Sequence, residues 1–591
     1  MRFSGLNSYP SNTSDVSTWQ VCVILLLALL TYVYGLGGQY VPTIGDEMVY
    51  AHIARLTAES GQWLPLASEL PGTRNTKPPL LFWQAMVAGD WSRNWTLQAL
   101  RAPSLIYTFL LAACVATSTR LITRSWRDGL LSACLFLVFF STFRFGRPYL
   151  TSAPETFWLS LPLFLLLWQR LRTPNYIPGW QPHVLLGLGL GLGLAYKSFA
   201  LIAPAAAAWW LALIWSEPHP TWPRTLRHTL LTGFSAAVAL CVFALWFVLD
   251  PSPQEVWREF ILAENAAKFS DRQGYWQQAL SLSGSSIWSQ LLAYPVNAGL
   301  LFFVVLGLGW RGMRSIGQLD QKLPAHQIIL LAWALVWLAV FLFPSQRTAR
   351  YVIPAMPAIA ILLALNWRHL ARFWYLPTLL LAMAMYVYLG RIAWVAYTLG
   401  LYSVSEVSLI TSFMVMATLV ALLALIKPAW TRTGALLANF LVYAGWGLTV
   451  APMDGAIGRF NTQAQGQLPN GTLAAPSNFN GQFERYRFLL DKAQHIQPYG
   501  VDALQQSGSS SGEGSQGSAQ LLGQLLTKYA AVVWVQDRPL QTQPPCLPGC
   551  KILGERWILR SRYLSGEITA ENVWHPDQWL FRREWLLTRG D

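Results

Sequence analysis

The chain has 591 residues, 53% hydrophobic and 12% charged, with a formal net charge of +14 and a mean hydropathy of +0.34. That composition excludes a chain folded around one aqueous core and predicts a polytopic membrane protein. The basic excess gathers in short connections between apolar runs, so topology accounts for it and nucleic-acid binding does not.

Apolar runs able to cross roughly 30 Å of hydrocarbon number about thirteen. They lie near Val21–Leu36, Ala102–Ser118, Gly129–Thr142, Thr156–Trp168, Val184–Tyr196, Phe199–Trp215, Thr229–Leu249, Ile287–Trp310, Ile328–Phe343, Tyr351–Trp367, Tyr375–Leu389, Val407–Ile426 and Gly434–Val450. Alternate connections carry Arg120, Arg124 and Arg127, then Arg170 and Arg172, Arg224 and Arg227, Arg311 and Arg314, Arg368 and Arg372, and Lys427 with Arg432. The positive-inside rule makes that side cytoplasmic and places the N-terminus there, in a plasma or inner membrane. The loop 42–95, the segment Asp250–Ser286 and the C-terminal tail are then exported. The first run continues without a small-residue cleavage site, and is read as a retained span rather than a signal peptide.

The exported loop opens with Gly45-Asp46-Glu47-Met48-Val49-Tyr50, and Val49, Ile53 and Leu56 continue it as a helical stripe at the interface. Lys77-Pro78-Pro79 blocks helix continuation before Leu80–Val87 resumes. Two interfacial helices are expected, with Asp46 starting the first and Lys77 just before the second. The membrane part spans 1–452, and residues 453–591 form a separate exported domain. In it, Gln520–Lys528 reads as a short helix, Ala530–Val535 as a buried strand and Ser507–Ser518 as a flexible low-complexity loop, which together suggest a small α/β unit.

Cysteines 22, 114, 134 and 241 sit in apolar runs and are read as packing residues. Cys546 and Cys550 flank Leu-Pro-Gly in the exported tail, where a small disulfide loop fits better than a zinc site. There is no P-loop, no strong metal-ligand spacing and no internal repeat.

Several residues could carry chemistry. Asp46 reads either as a helix cap or as a general base toward an acceptor hydroxyl. Glu47 follows it, but successive helix positions point about 100° apart, so only one of the two faces a given site, and Asp46 is preferred. Lys77, with Arg74 before it, reads as an interfacial anchor or as a charge for phosphate oxygens; the rigid Pro78-Pro79 turn favours phosphate. Lys197 either ends its span or joins the site. Arg347 and Arg350 lie on the exported side against the usual charge bias, which an anionic lipid headgroup would explain.

The set Asp46-Glu47-x-x-Tyr50-x-x-Ile53-Ala54-Arg55, Lys77-Pro78-Pro79-Leu80, Tyr196-Lys197-Ser198, Glu264-Asn265-x-x-Lys268-Phe269 and Arg347-x-x-Arg350-Tyr351-x-x-Pro354-x-x-Pro357 resembles the polytopic family-C glycosyltransferases. The nearer likeness is to the aminoarabinose transferase of lipid A and the protein O-mannosyltransferases. The resemblance covers the membrane part in order, and the tail looks like the family's soluble domain. It implies a polyprenyl-phosphate sugar donor, a catalytic role at Asp46, and contact with the lipid phosphate at Lys77, Arg347 and Tyr351. Two positions depart from the pattern. Thr151-Ser152-Ala153-Pro154-Glu155 puts Ser152 where the family usually has an acidic residue before proline, and Glu155 is the candidate substitute. Thr76 stands where a glutamate often precedes Lys-Pro-Pro, which leaves a divalent cation undecided. No cofactor is otherwise required.

The function expected from these residues is inverting transfer of a sugar from the prenyl phosphate to a hydroxyl or phosphate on a lipid or protein acceptor. The rival is a transporter or flippase of a lipid-linked sugar, which would need the basic residues but no base at Asp46.

Overall fold

The computed structural model describes residues 17–38, 45–70, 72–173, 178–217, 221–265, 275–282, 284–316, 323–454, 459–477, 481–490, 495–500, 514–536, 543–546, 548–560 and 565–590. Lys268, Phe269 and residues 507–513 of the expected low-complexity loop lie outside them. Helices dominate up to Asp454, and a small sheet follows. Among the described residues seven helices are long and apolar enough to cross a membrane, or eight with the bent pair Trp126–Val138 and Phe140–Gly146 counted as one span; shorter apolar helices include Thr18–Val33 and Ala325–Val340.

The first ten helices frame the site. They are α1 (Thr18–Val33), α2 (Gly45–Glu59), α3 (Leu80–Ala88), α4 (Leu97–Thr123), α5 (Trp126–Val138), α6 (Phe140–Gly146), α7 (Ser152–Arg172), α8 (Trp180–Tyr196), α9 (Ile202–Trp215) and α10 (Trp222–Leu249). Local chemistry explains several boundaries. Ser17 and Gln20 cap α1 reciprocally, Thr96 accepts the Ala99 amide to start α4, and Pro79 occupies the N-cap of α3 after the Lys-Pro-Pro step. The glycine ladder of α8 sets its packing. A Cβ at Gly187 would meet the Ser235 carbonyl of α10 at 2.7 Å, and one at Gly191 would meet Val242 Cβ at 2.5 Å. In lipid such close backbone approach supplies the van der Waals contact that the hydrophobic effect cannot.

The basic connections meet at one end of the bundle. Arg368 lies 3.5 Å from Asp128, Arg432 donates to the Arg368 and Leu370 carbonyls, Arg372 donates to Thr431, and Arg311 donates to Asn366.

The tail carries strands β1 (Thr472–Ser477), β2 (His495–Gly500), β3 (Ala531–Val535), β4 (Cys550–Leu559) and β5 (Phe581–Arg589), in the order β2-β1-β3-β5-β4. β1 runs parallel to β2 and β3; β5 is antiparallel to β3 and β4. Period-two alternation divides the core. Ala531 and Val533 pack with Phe483 and Tyr486 on one face, whereas Val532 and Trp534 pack with Leu522 and Leu525 on the other. The expected strand is present. The helix before it runs Gly514–Lys528, so it takes up residues 514–518 that were expected in a flexible loop; Leu522, Leu525 and Leu526 form its buried stripe. Cys546 and Cys550 are joined as a disulfide, with Cα atoms 5.6 Å apart.

Candidate functional site

At the bundle end opposite the Arg368 cluster, four elements bring charged side chains together. The first turn of α2 carries Asp46, whose Oδ2 accepts a hydrogen bond from Arg350 Nη1 at 3.1 Å. Among the described residues its second oxygen has no hydrogen-bond partner. Arg350 belongs to a 3-10 turn, Ala349–Ala355, that Pro354 and Pro357 hand on to the helix Met356–Asn366. Its guanidinium also lies over the Phe145 ring, 5.0 Å from the centroid.

Beside this pair, Lys197 Nζ donates to Glu155 Oε1 at 2.7 Å. Lys197 follows the last residue of α8, and Glu155 sits in the first turn of α7, where the helix dipole favours a carboxylate. Burial, then repulsion from Arg350 and Lys77, lowers the Lys197 pKa against the opposing pull of Glu155. Glu155 is fully buried, and its Oε2 has no hydrogen-bond partner among the described residues; the buried hydroxyls of Thr151, Ser152 and Thr156 around it are equally unsatisfied. Such atoms need hydrogen-bond partners from water or a ligand. Tyr351 places its ring 5.9 Å from Lys197 Nζ and packs on Phe341. Tyr50 is buried on α2, and burial first, then Asp46, holds its phenol well above the usual value, so it can donate a hydrogen bond but not act as a base.

The loop before α3 is laced to the segment Pro253–Asn265. Arg74 donates to Glu255 at 2.8 Å, Asn75 to Glu259 at 3.0 Å and Lys77 to Glu264 at 3.1 Å. Asn265 in turn accepts from Ser198, the residue after Lys197, at 2.8 Å. Lys77, Lys197 and Glu264 therefore share one wall, reached from three separate parts of the sequence.

Two expected residues are tied to other partners. Glu47 is fully buried in a bidentate pair with Arg101, at 2.7 and 2.9 Å, and also accepts the Tyr149 amide at 2.8 Å. It ties α2 to α4 and to the turn before α7, on a different face of the helix from Asp46. Arg347 is also buried, with donors engaged by the Leu342 carbonyl at 2.7 Å, the Ser285 carbonyl at 3.1 Å and the Tyr275 hydroxyl at 2.7 Å. The sequence reading missed Arg101, although a cation near the start of an apolar helix carried the same signal that drew attention to Arg350. It also missed Glu259 and Glu484, which sequence distance hides.

A family model described as dolichyl-phosphate-mannose-protein mannosyltransferase matches residues 19–252. Among curated relatives, an undecaprenyl phosphate-alpha-4-amino-4-deoxy-L-arabinose arabinosyl transferase of Sodalis glossinidius is 28% identical over 358 residues, 59% of each chain. One from Pseudomonas aeruginosa is 26% identical over 59% of this chain and 60% of its own. The chain thus spans about 59% of the length of the curated relatives it matches. Among solved structures, ArnT of Cupriavidus metallidurans bound to undecaprenyl phosphate has a TM-score of 0.57 at 16% identity, over 96% of this chain and 98% of that one. The apo form gives 0.56, over 88% and 93%. The resemblance to family-C glycosyltransferases read from the motifs is borne out, and the fold is that of ArnT.

Proposed function

We propose that the chain transfers a sugar from a polyprenyl-phosphate donor to an acceptor hydroxyl or phosphate of a lipid or protein, on the outer face of the membrane. The observation that carries this reading is the cluster itself: a carboxylate with one oxygen unbonded among the described residues, Asp46, beside the cations Arg350, Lys197 and Lys77. In the reaction the acceptor O–H gives its proton to Asp46 while its oxygen attacks the anomeric carbon. The bond from that carbon to the phosphate oxygen breaks, and its electron pair leaves with the prenyl phosphate. Lys77 and Arg350 meet the charge that accumulates there, while Tyr351 flanks Lys197. A single displacement inverts the anomeric centre. Arg347 joins the phosphate through its remaining N–H groups while it holds the Tyr275–Ser285 segment. Glu155 supplies the second acidic function where the family pattern has an acidic residue at the place of Ser152.

The relatives named for undecaprenyl phosphate and aminoarabinose support this donor class and an aminopentose as the first sugar to try. About thirteen spans, a cytoplasmic N-terminus and an exported domain over 453–591 complete the proposal; the gathering of Arg311, Arg368, Arg372 and Arg432 at the far end supports that sidedness. The test is purified full-length chain given an undecaprenyl-phosphate sugar and lipid A, with release of undecaprenyl phosphate and the anomer of the product measured. Inverted product that disappears in Asp46→Asn, with donor binding kept, is expected. Product from Asp46→Asn at the wild-type rate would overturn the assignment of the base.

A further inference from the structure

We infer that the C-terminal domain is a working part of the site, with Glu484 a positioning residue that acts on Asp46 through α2; this rests on the reading of Asp46 as base. Glu484 lies in a 3-10 turn, Gln482–Phe488, of the tail and is fully buried. Its carboxylate accepts from Arg55 Nε at 2.6 Å, from Arg55 Nη2 at 3.2 Å and from His52 Nδ1 at 3.0 Å, and Arg487 Nε stands 3.4 Å away. His52 and Arg55 are three positions apart on α2, so they share a face. The other nitrogen of His52 accepts the Glu69 amide at 3.4 Å, which fixes the tautomer that donates to Glu484. Arg55 Nη1 is taken by Glu59 at 2.9 Å, which aims the opposite edge of the guanidinium at the tail.

The contact continues toward the catalytic end. Gly481, at φ +83°, lies so close to α2 that a Cβ there would fall 2.7 Å from Val49 Cα and 2.9 Å from Val49 N. Val49 is three residues from Asp46, less than one helical turn. Phe483 meets the His52 ring edge to face at 5.3 Å, and Phe488 packs on the cluster of Tyr50 and Phe82. The exported tail therefore grips α2 from Val49 to Arg55, while Glu47 and Arg101 hold its other side. Between these two fastenings the helix cannot roll, and a roll would swing Asp46 away from Arg350.

Two variants of the full chain separate positioning from folding. Glu484→Gln keeps shape and removes charge. Gly481→Ala removes no charge and pushes the tail off α2; Gly523→Ala, whose Cβ would meet nothing within 4 Å, is the control in the same domain. The readouts are hydrogen exchange of amides 48–52, binding of undecaprenyl phosphate, and kcat per folded molecule. Both variants should raise exchange by about tenfold or more. They should lower kcat about 10- to 100-fold, the cost of a displacement near 1 Å. Undecaprenyl phosphate affinity should stay at the wild-type value, and the control should change nothing. Unchanged exchange, or raised exchange with an unchanged kcat, would overturn the positioning role. Raised exchange in a chain whose wild type transfers no sugar would support the grip on α2 and overturn instead the reading of Asp46 as base.

Discussion

Lys197→Met is the most demanding perturbation of the site, because its partner has nowhere else to turn. Glu155 is 1% exposed at the side chain and Lys197 is 14% exposed, 2.7 Å apart. One carboxylate oxygen of Glu155 already lacks a hydrogen-bond partner among the described residues. Removing the ammonium leaves a buried charge with neither oxygen bonded to any of them, which costs about 3–5 kcal/mol. Glu155→Gln leaves the amide oxygen as an acceptor for Lys197, and the ammonium keeps some exposure, so its cost is about 1–3 kcal/mol. In the double variant no charge is left uncompensated. It should be more stable than Lys197→Met alone by about 1 kcal/mol, which at single costs of about 4 and 2 kcal/mol is a coupling of about 3 kcal/mol, the upper end for residues in direct contact. Equilibrium unfolding in mixed micelles measures all four corners of this cycle. Additive losses, with the double variant the least stable of the four, would refute the pairing. In the transfer assay Glu155→Gln should impair turnover more than Ser152→Ala; the reverse order would show that Glu155 only favours the start of α7.

Titration with undecaprenyl phosphate should find Lys77→Ala and Arg350→Ala each weaker by about 1.5–3 kcal/mol, the worth of a charge-assisted contact, and Arg347→Lys only partly competent because the forked geometry is lost. Wild-type affinity in both alanine variants would mean that these cations serve only the loops. Glu484 offers a pH signature. Burial by itself would raise its pKa, but the hydrogen bonds and charge of His52 and Arg55 outweigh burial and bring it down to about 2. With its folded pKa depressed, Glu484 contributes stability that is present above the unfolded value near 4.3 and is lost as pH falls toward 2, on the order of 3 kcal/mol in all. The acid loss of stability should accordingly shrink in Glu484→Gln, and an identical acid limb would contradict the buried contact. Finally, Gly187→Ala should destabilise by about 1–3 kcal/mol, since its Cβ would press on the Ser235 carbonyl, whereas Gly189→Ala, facing open space, should gain up to about 1 kcal/mol. Equal effects in thermal unfolding would mean that α8 and α10 do not pack as described.

The sequence by itself determined what short-range chemistry controls. Apolar runs made the chain polytopic, the Lys77-Pro78-Pro79 step set the start of the helix at Leu80, and a short continuous apolar run marked Ala530–Val535 as a buried strand. It also separated Asp46 from Glu47, because adjacent helix positions point to different faces and only one could turn toward Arg350. What it could not determine is which charge answers which. Glu155 with Lys197, Lys77 with Glu264, Glu47 with Arg101 and Glu484 with Arg55 are pairs 42, 187, 54 and 429 positions apart. No periodicity links such residues, and each pairing exists only because helix packing brings two chain segments within about 3 Å. Arg347 and Arg350 show the difference most clearly. Both stand out in sequence as cations apart from the regularly spaced basic connections, yet only packing sends one to Asp46 and the other to Tyr275 and Ser285. Tertiary structure decided this because a guanidinium in a low-dielectric site goes to the nearest acceptors that can satisfy its N–H groups, and those are set by the fold.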